Sequence, residues 1–448
     1  MKVIEIENKL KQYLKCIFFI LILIHPSIFF NGNFSKSQKL VSNDLKISSN
    51  TRNKSIILMI GDGMGFEHLK LARWVEIGIF NRFTLEKMPL HLNVSTYSAD
   101  NLITDSAAAA TAMATGYKTN NGMLSISPLL ESLETILEIS HKLGKATGIV
   151  TTTTLTHATP AAFVTHVTSR SNTTEISRQI VENSSVNILL GGGRDHFSPS
   201  QLIQLQAKGF NLVENRSELM NSNSNNIIGL FAPNHLPYEI NRDQEVVPSL
   251  SEMTLKAIEI LSQDPDGFFL MVEGGRIDHG GHANNKTNVA LETIEFHYAV
   301  DSVISYSRTH DNILLLVTSD HETGGLKVLN ETLNTNIPSF NKSFEENKLL
   351  RIERINNITV YWTTTYHTSH SVPFFGYNAD LYGFNNLTII DNIEIFDIMK
   401  AYLSISSVND SDLIIVISIG IGITGFTVAG LVILRMRKSK KVLIKKNE

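Results

Sequence analysis

Cysteine is almost missing: the 448 residues hold one, Cys16, close to the N-terminus. The rest of the chain can therefore form no disulfide and no cysteine-bound structural zinc site, and its own core must hold it together. Charge is also scarce. Asp, Glu, Lys and Arg make up 18% of the residues against 42% hydrophobic ones, which excludes a disordered tail or a fibre and leaves a globular protein. Basic charge is concentrated at the ends. The last 14 residues carry seven basic side chains and one acidic, the first 34 carry four and two, and the part between holds 28 basic against 40 acidic, a net charge of −12. Nucleic-acid binding, which wants a basic face, is not expected there. An acidic surface suits a domain that holds divalent cations, although solubility alone accounts for it about as well.

The ends point to export and a membrane. Residues 16–30 contain no Asp, Glu, Lys or Arg and follow Lys9, Lys11 and Lys15, the pattern of a secretory signal, so 1–34 is expected to be a signal peptide. No small-x-small cleavage site follows it. Residues 413–434 form a second uncharged run, and 22 residues at about 1.5 Å each span roughly 33 Å, the thickness of a bilayer core. This run is expected to be a transmembrane helix. Arg435, Arg437, Lys438, Lys440 and Lys441 follow it directly, so 435–448 should be a basic cytoplasmic tail, with 406–412 a short stalk and 52–405 a globular domain outside the cell. About a dozen Asn-x-Ser/Thr sequons, Asn93 and Asn386 among them, would be glycan acceptors on an exported chain.

Within 52–405, short apolar runs recur at 55–60, 147–150, 186–190, 268–272, 313–317 and 372–375. Their β-branched content and lack of alternation suggest strands buried on both faces. Helical patterns at 129–143, 249–261 and 288–305 lie between several of them, which implies βαβ units and a mostly parallel sheet. After the first run comes Gly61-Asp62-Gly63-Met64-Gly65, after the fourth Glu273 with Asp278 and His282, after the fifth Asp320-His321, and before the last His367. In such a sheet, ligands bind beyond the carboxyl ends of the strands. One aspartate after a strand is usually a cap or turn residue, but the set as a whole supplies the oxygen and nitrogen ligands of a catalytic metal centre. Ser106 is a candidate nucleophile: Asp105 can cap a helix beginning there, and the free amides of its first turn would attract phosphate. An ordinary buried alanine-rich helix fits that segment equally well.

The strings "GDGMG", "TDSAAAATAMATG", "THATPAAFVTHVTSR", "EGGRIDHGGHANN", "TSDHETGG" and "WTTTYHTSHSVP" occur in the order seen in alkaline phosphatases, and the chain resembles that family over 56–377. The resemblance implies two zinc ions and a third metal, usually magnesium, around a phosphorylated serine. Asp278, His282 and His367 match the first zinc site, and Asp62, Asp320 and His321 the second. Thr159, Glu273 and the other carboxylate oxygen of Asp62 match the third. Zinc beside Ser106 would stabilise its alkoxide, and the other zinc would stabilise the leaving alkoxide and then activate water. Arg170 matches the arginine that takes two phosphoryl oxygens in a fork. His157 and His279 stand where other members carry aspartate, lysine or tryptophan; this pair resembles the animal-type arrangement and is expected near the third metal without binding the zinc pair. His370 is expected at the pocket rim. Only 46 positions separate His321 from His367, so a small excursion replaces the crown-like subdomain that larger members insert there.

The expectation is thus an α/β protein, a three-layer α/β/α sandwich around a mostly parallel sheet with a C-terminal transmembrane helix. It would hydrolyse small phosphate monoesters outside the cell as a single-pass protein of the cell membrane, with a homodimer left open. The alternatives are a phosphodiesterase or pyrophosphatase of the same superfamily and a catalytically silent surface protein on the same fold. Sulfatase chemistry is disfavoured, because the domain has no cysteine and no Ser/Cys-x-Pro-x-Arg motif.

Overall fold

The structure is a computed structural model that describes residues 53–404, apart from 184, 332–336, 339–343 and 380–386, together with the backbone of 412–423 and 426–437. The expected signal peptide, nearly all of the stalk and most of the basic tail lie outside the described residues.

Strands β1 (Ser55–Ile60), β2 (Leu90–Ser95), β3 (Ala146–Thr154), β4 (Ile188–Gly192), β5 (Asn211–Val213), β6 (Ile227–Leu230), β7 (Phe268–Glu273) and β8 (Ile313–Thr318) build most of one ten-stranded sheet. Two small pairs follow, β9 (Glu322–Thr323) with β12 (His367–Thr368) and β10 (Lys327–Glu331) with β11 (Ile358–Tyr361). With β13 (Val372–Tyr377) and β14 (Ile389–Asp391), the large sheet runs β14-β2-β13-β8-β1-β7-β3-β4-β6-β5. Only β13 runs against its neighbours, β2 and β8; all other pairs are parallel.

The period of two in each strand divides the core. Ile57, Met59, Leu270, Val272, Leu315 and Val317 face one side, where the helices Phe66–Ile77, Leu250–Leu261 and Lys286–Ser307 pack. Ile56, Leu58, Ile60, Met271, Leu314 and Leu316 face the other, against Ser106–Thr115, Ile136–Lys142 and Ile393–Ser404. Strands buried on both faces need apolar side chains at every position, which is why the runs do not alternate. The three layers match the expectation.

Two local expectations fail. The helix expected over 129–143 shrinks to Ile136–Lys142: Ser127-Pro128 turns the chain, Leu130 takes a φ of 65°, and Thr135 with Glu138 forms a capping box that starts the helix late. The polar interval 331–350 ends in an unforeseen helix, Phe344–Asn357, whose fully buried Arg354 donates Nε to the Val75 carbonyl at 2.6 Å. Over 413–434, where the reading expects a transmembrane helix, Asp412–Ile423 pairs antiparallel with Phe426–Arg437. Among the described residues, no helix is long and apolar enough to cross a membrane.

Candidate active site

The carboxyl ends of β1, β7 and β8 deliver Asp62, Glu273, Asp320 and His321, all fully buried. The helix Arg276–His282 follows β7 and presents Asp278 and His282 one turn apart, while His367 arrives on β12. Gly63 permits the crowding. Its φ of 74° is left-handed, and a Cβ there would stand 2.8 Å from the Asp278 Cα.

Three groups of donors result: Asp278, His282 and His367; Asp62, Asp320 and His321; and Asp62, His157 and Glu273, each with ligand atoms within 4.8 Å of one another. In the first, His282 Nδ1 meets the Thr365 carbonyl at 2.6 Å and His367 Nδ1 the Thr104 carbonyl at 2.9 Å. A carbonyl only accepts, so both Nδ1 atoms carry the proton and both Nε2 atoms present lone pairs. These face each other at 3.1 Å, with the Asp278 oxygens 3.4 and 3.7 Å away. Lone pairs and a carboxylate converging in this way repel unless a cation lies between them. The separations suit one, since bonds of about 2.0–2.2 Å at tetrahedral angles put donors roughly 3.3–3.6 Å apart. In the second group, His321 Nε2 lies 3.2 Å from Asp320 Oδ2 and 3.7 Å from Asp62 Oδ1.

Orphaned atoms point the same way. Both Asp62 oxygens, Asp320 Oδ2, Glu273 Oε1, Thr159 Oγ1 and His157 Nδ1 are buried without a hydrogen-bond partner in the protein. Burial raises the Asp62 carboxyl well above its usual range, and the charges of Asp320, Asp278 and Glu273 add to this. Burial also pushes Asp320 up to about 7, against the opposing hydrogen bond from the Gly63 amide. Burial and neighbouring imidazoles depress His321, keeping it a neutral ligand. For Glu273, burial raises the carboxyl, but His157, Thr151 and Thr153 outweigh it and hold the group below its ordinary value.

Ser106 is the first residue of the helix Ser106–Thr115, and its Oγ is 3.2 Å from His321 Nε2. Asp105 caps that helix through the Ala108 amide at 3.0 Å, as expected. Its other oxygen takes Arg170 Nη1 at 3.0 Å, while Arg170 Nη2 meets His157 Nε2 at 3.2 Å, so the guanidinium is held from both sides. His279 joins none of the three donor groups; its Nδ1 meets Arg276 Nη1 at 2.6 Å, with its ring 5.7 Å from that of His157. Thr159 lies fully buried just beyond β3. His370 is exposed, as expected.

Sequence reading missed the supports. Thr151 and Thr153 donate to Glu273, and His235 sits 4.5 Å, ring to ring, from His279. Thr323, fully buried, donates Oγ1 to Asp278 at 2.5 Å and meets His321 Nδ1 at 3.2 Å, touching one ligand of each of two groups. The "TSDHETGG" string contains it, but its match marked Asp320 and His321 without marking this hydroxyl. Replacing Thr323 with valine should weaken divalent-metal retention by about 10–100-fold, the usual effect of losing such a support, and serine should restore it. Competition with a chromogenic chelator measures this; equal retention in wild type and valine variant would dismiss the coupling.

The alkaline phosphatase family model matches residues 53–350. Alkaline phosphatase 3 of Bacillus subtilis is 35% identical over 294 residues, which cover 61% of this chain and 62% of that protein. The alkaline phosphatase of Escherichia coli is 36% identical over 330 residues, covering 60% and 70%. Among solved structures, the cold-active alkaline phosphatase of the psychrophile Shewanella sp. matches with a TM-score of 0.68 at 29% identity, covering 78% of this chain and 100% of that one. The chain thus spans less than two thirds of the Bacillus relative's length.

Proposed function

The chain belongs to the alkaline phosphatase family, and from that premise we propose that it hydrolyses phosphate monoesters through a phosphoserine at Ser106. The observation that carries this reading is the position of the Ser106 hydroxyl, at a helix N-terminus and 3.2 Å from His321 Nε2 within one donor group. Residues Asp278, His282 and His367 would hold one zinc ion and Asp62, Asp320 and His321 another, since mixed nitrogen and oxygen donors suit zinc. Glu273, Thr159 and Asp62 would hold magnesium, for which oxygen donors are apt, with His157 and His279 nearby. When bound, such ions supply Lewis-acid stabilisation of developing oxygen charge and lower the pKa of water.

The chain's own groups do the positioning. Arg170, fixed by Asp105 and His157, offers its fork to two phosphoryl oxygens, and the amides of the first helical turn face the same phosphate. The Ser106 oxygen bonds to phosphorus as the bond to the leaving alcohol breaks. Water then displaces Ser106, so inorganic phosphate and the free alcohol leave and the hydroxyl is restored. Phosphate release from monoesters by purified, metal-analysed protein tests this, and turnover of diesters or pyrophosphate alone would replace it with the neighbouring activity.

Placement at the membrane is part of the same proposal. Its support is the sequence: a basic and apolar N-terminal segment over 1–34, and 22 uncharged residues at 413–434 followed by five basic side chains among the next seven. The domain would face outward, attached through 413–434, with 435–448 inside. A chain ending before Leu413 should be released as soluble active protein; its sedimentation with salt-washed membranes would refute that attachment.

A further inference from the structure

The phosphate-handling groups open into a cavity of about 370 Å³, within the range of small-molecule sites. Its lining includes the polar and charged groups Ser106, Arg170, Asp278 and His282, together with two large side chains open to solvent, Tyr366, 73% exposed, and Ile103, 43% exposed. A flat aromatic face open to solvent beside a phosphate site can take a flat group on the ester's leaving portion.

Neither residue stands on a loose loop. Tyr366 is pinned at its backbone on both sides, its amide donating to Thr364 Oγ1 at 3.0 Å and its carbonyl accepting from the Gly324 amide at 2.9 Å. Ile103 is pinned likewise, its amide donating to Asn101 Oδ1 at 2.9 Å and its carbonyl accepting from Asn121 Nδ2 at 3.0 Å. The following residues bind each other, His367 Nδ1 to the Thr104 carbonyl at 2.9 Å. One hydrogen bond therefore locks together the two loops that carry the exposed groups, and it belongs to a residue of the donor set. The phenol side chain has a fixed base and a free face.

We propose that Tyr366, with Ile103 lining the same cavity, is a leaving-group platform that selects phosphate monoesters carrying a flat aromatic system, nucleoside 5′-monophosphates in particular. The inference rests on the phosphomonoesterase reading and adds a substrate class to it. Phosphate would sit at Ser106 and Arg170, and the base would cover the ring, gaining stacking energy at little entropic cost because the platform does not have to be ordered first.

The test compares 5′-AMP with ribose 5-phosphate, which share the ester bond and differ by the base. The ratio of their kcat/KM values cancels any change at the phosphate-handling centre. Wild type should favour AMP by roughly tenfold, the scale of one base on one aromatic ring. Tyr366→Ala should cut that ratio by about fivefold or more, and Tyr366→Phe, which keeps the ring, should preserve most of it. Turnover of both esters with a ratio unchanged by the alanine substitution would overturn the platform and leave the phosphatase reading standing. Failure of metal-loaded wild type to turn over either ester would overturn both.

Discussion

Ser106→Ala should lower phosphomonoester turnover by at least about a thousandfold, the order expected when a covalent nucleophile is removed, and should abolish labelling of the protein by substrate phosphate. The fold should persist. The side chain that satisfies the helix terminus is Asp105, which accepts from the Ala108 amide, and alanine already occupies the next four positions. Ser106 is buried, and among the described residues its hydroxyl's only hydrogen bond reaches His321, so the substitution removes one oxygen from the site and nothing from the core. Residual activity should persist, because the donor groups and Arg170 still orient phosphate and water. Quench-flow or acid-quench labelling beside a thermal melt separates the two effects. A labelled residue elsewhere, with turnover undiminished in the variant, would move the nucleophile.

The sequence exposed the site more fully than its supports, and the reason is physical. Asp62, Glu273, Asp320 and His321 follow apolar runs at strand ends, so a periodicity argument finds their place and their chemistry together. Ser106 and Asp105 are legible for a similar reason, since capping is local. Thr323, Thr151 and His235 act across the fold, Thr323 reaching Asp278 from 45 positions away and Thr151 reaching Glu273 from 122. A threonine or histidine side chain carries no local signal of such a partner. The helix Phe344–Asn357 was hidden because its apolar face is narrow: Leu350 and Ile355 are buried, while a buried arginine stands where a hydrophobe would be read.

Metal removal should have the second large effect, and its size should depend on pH. A metal present at about a thousandfold its Kd contributes about 4 kcal/mol to the native state. At roughly 2 °C per kcal/mol for a domain of this size, stripping several sites with a chelator should lower Tm by on the order of 10–20 °C. The pH dependence follows from the buried carboxyls. Asp320 titrates near 7 in the metal-free native protein, against an ordinary 3.8, and Asp62 is raised as well. Between about pH 4 and 7 the stripped native protein therefore holds protons that the unfolded chain has released, and its stability falls as pH rises through that window. Bound cations favour the ionised carboxylates and remove that penalty. His321 and His367 are both depressed, chiefly by burial, and protonation of their unfolded imidazoles is common to the loaded and stripped proteins, so it cancels in the difference. The gap in Tm between loaded and stripped protein should widen from pH 5 to pH 7 and level off above it. Scanning calorimetry of both forms across that range reads it directly. A gap that stays constant, or narrows with rising pH, would mean that these carboxylates do not hold the metals.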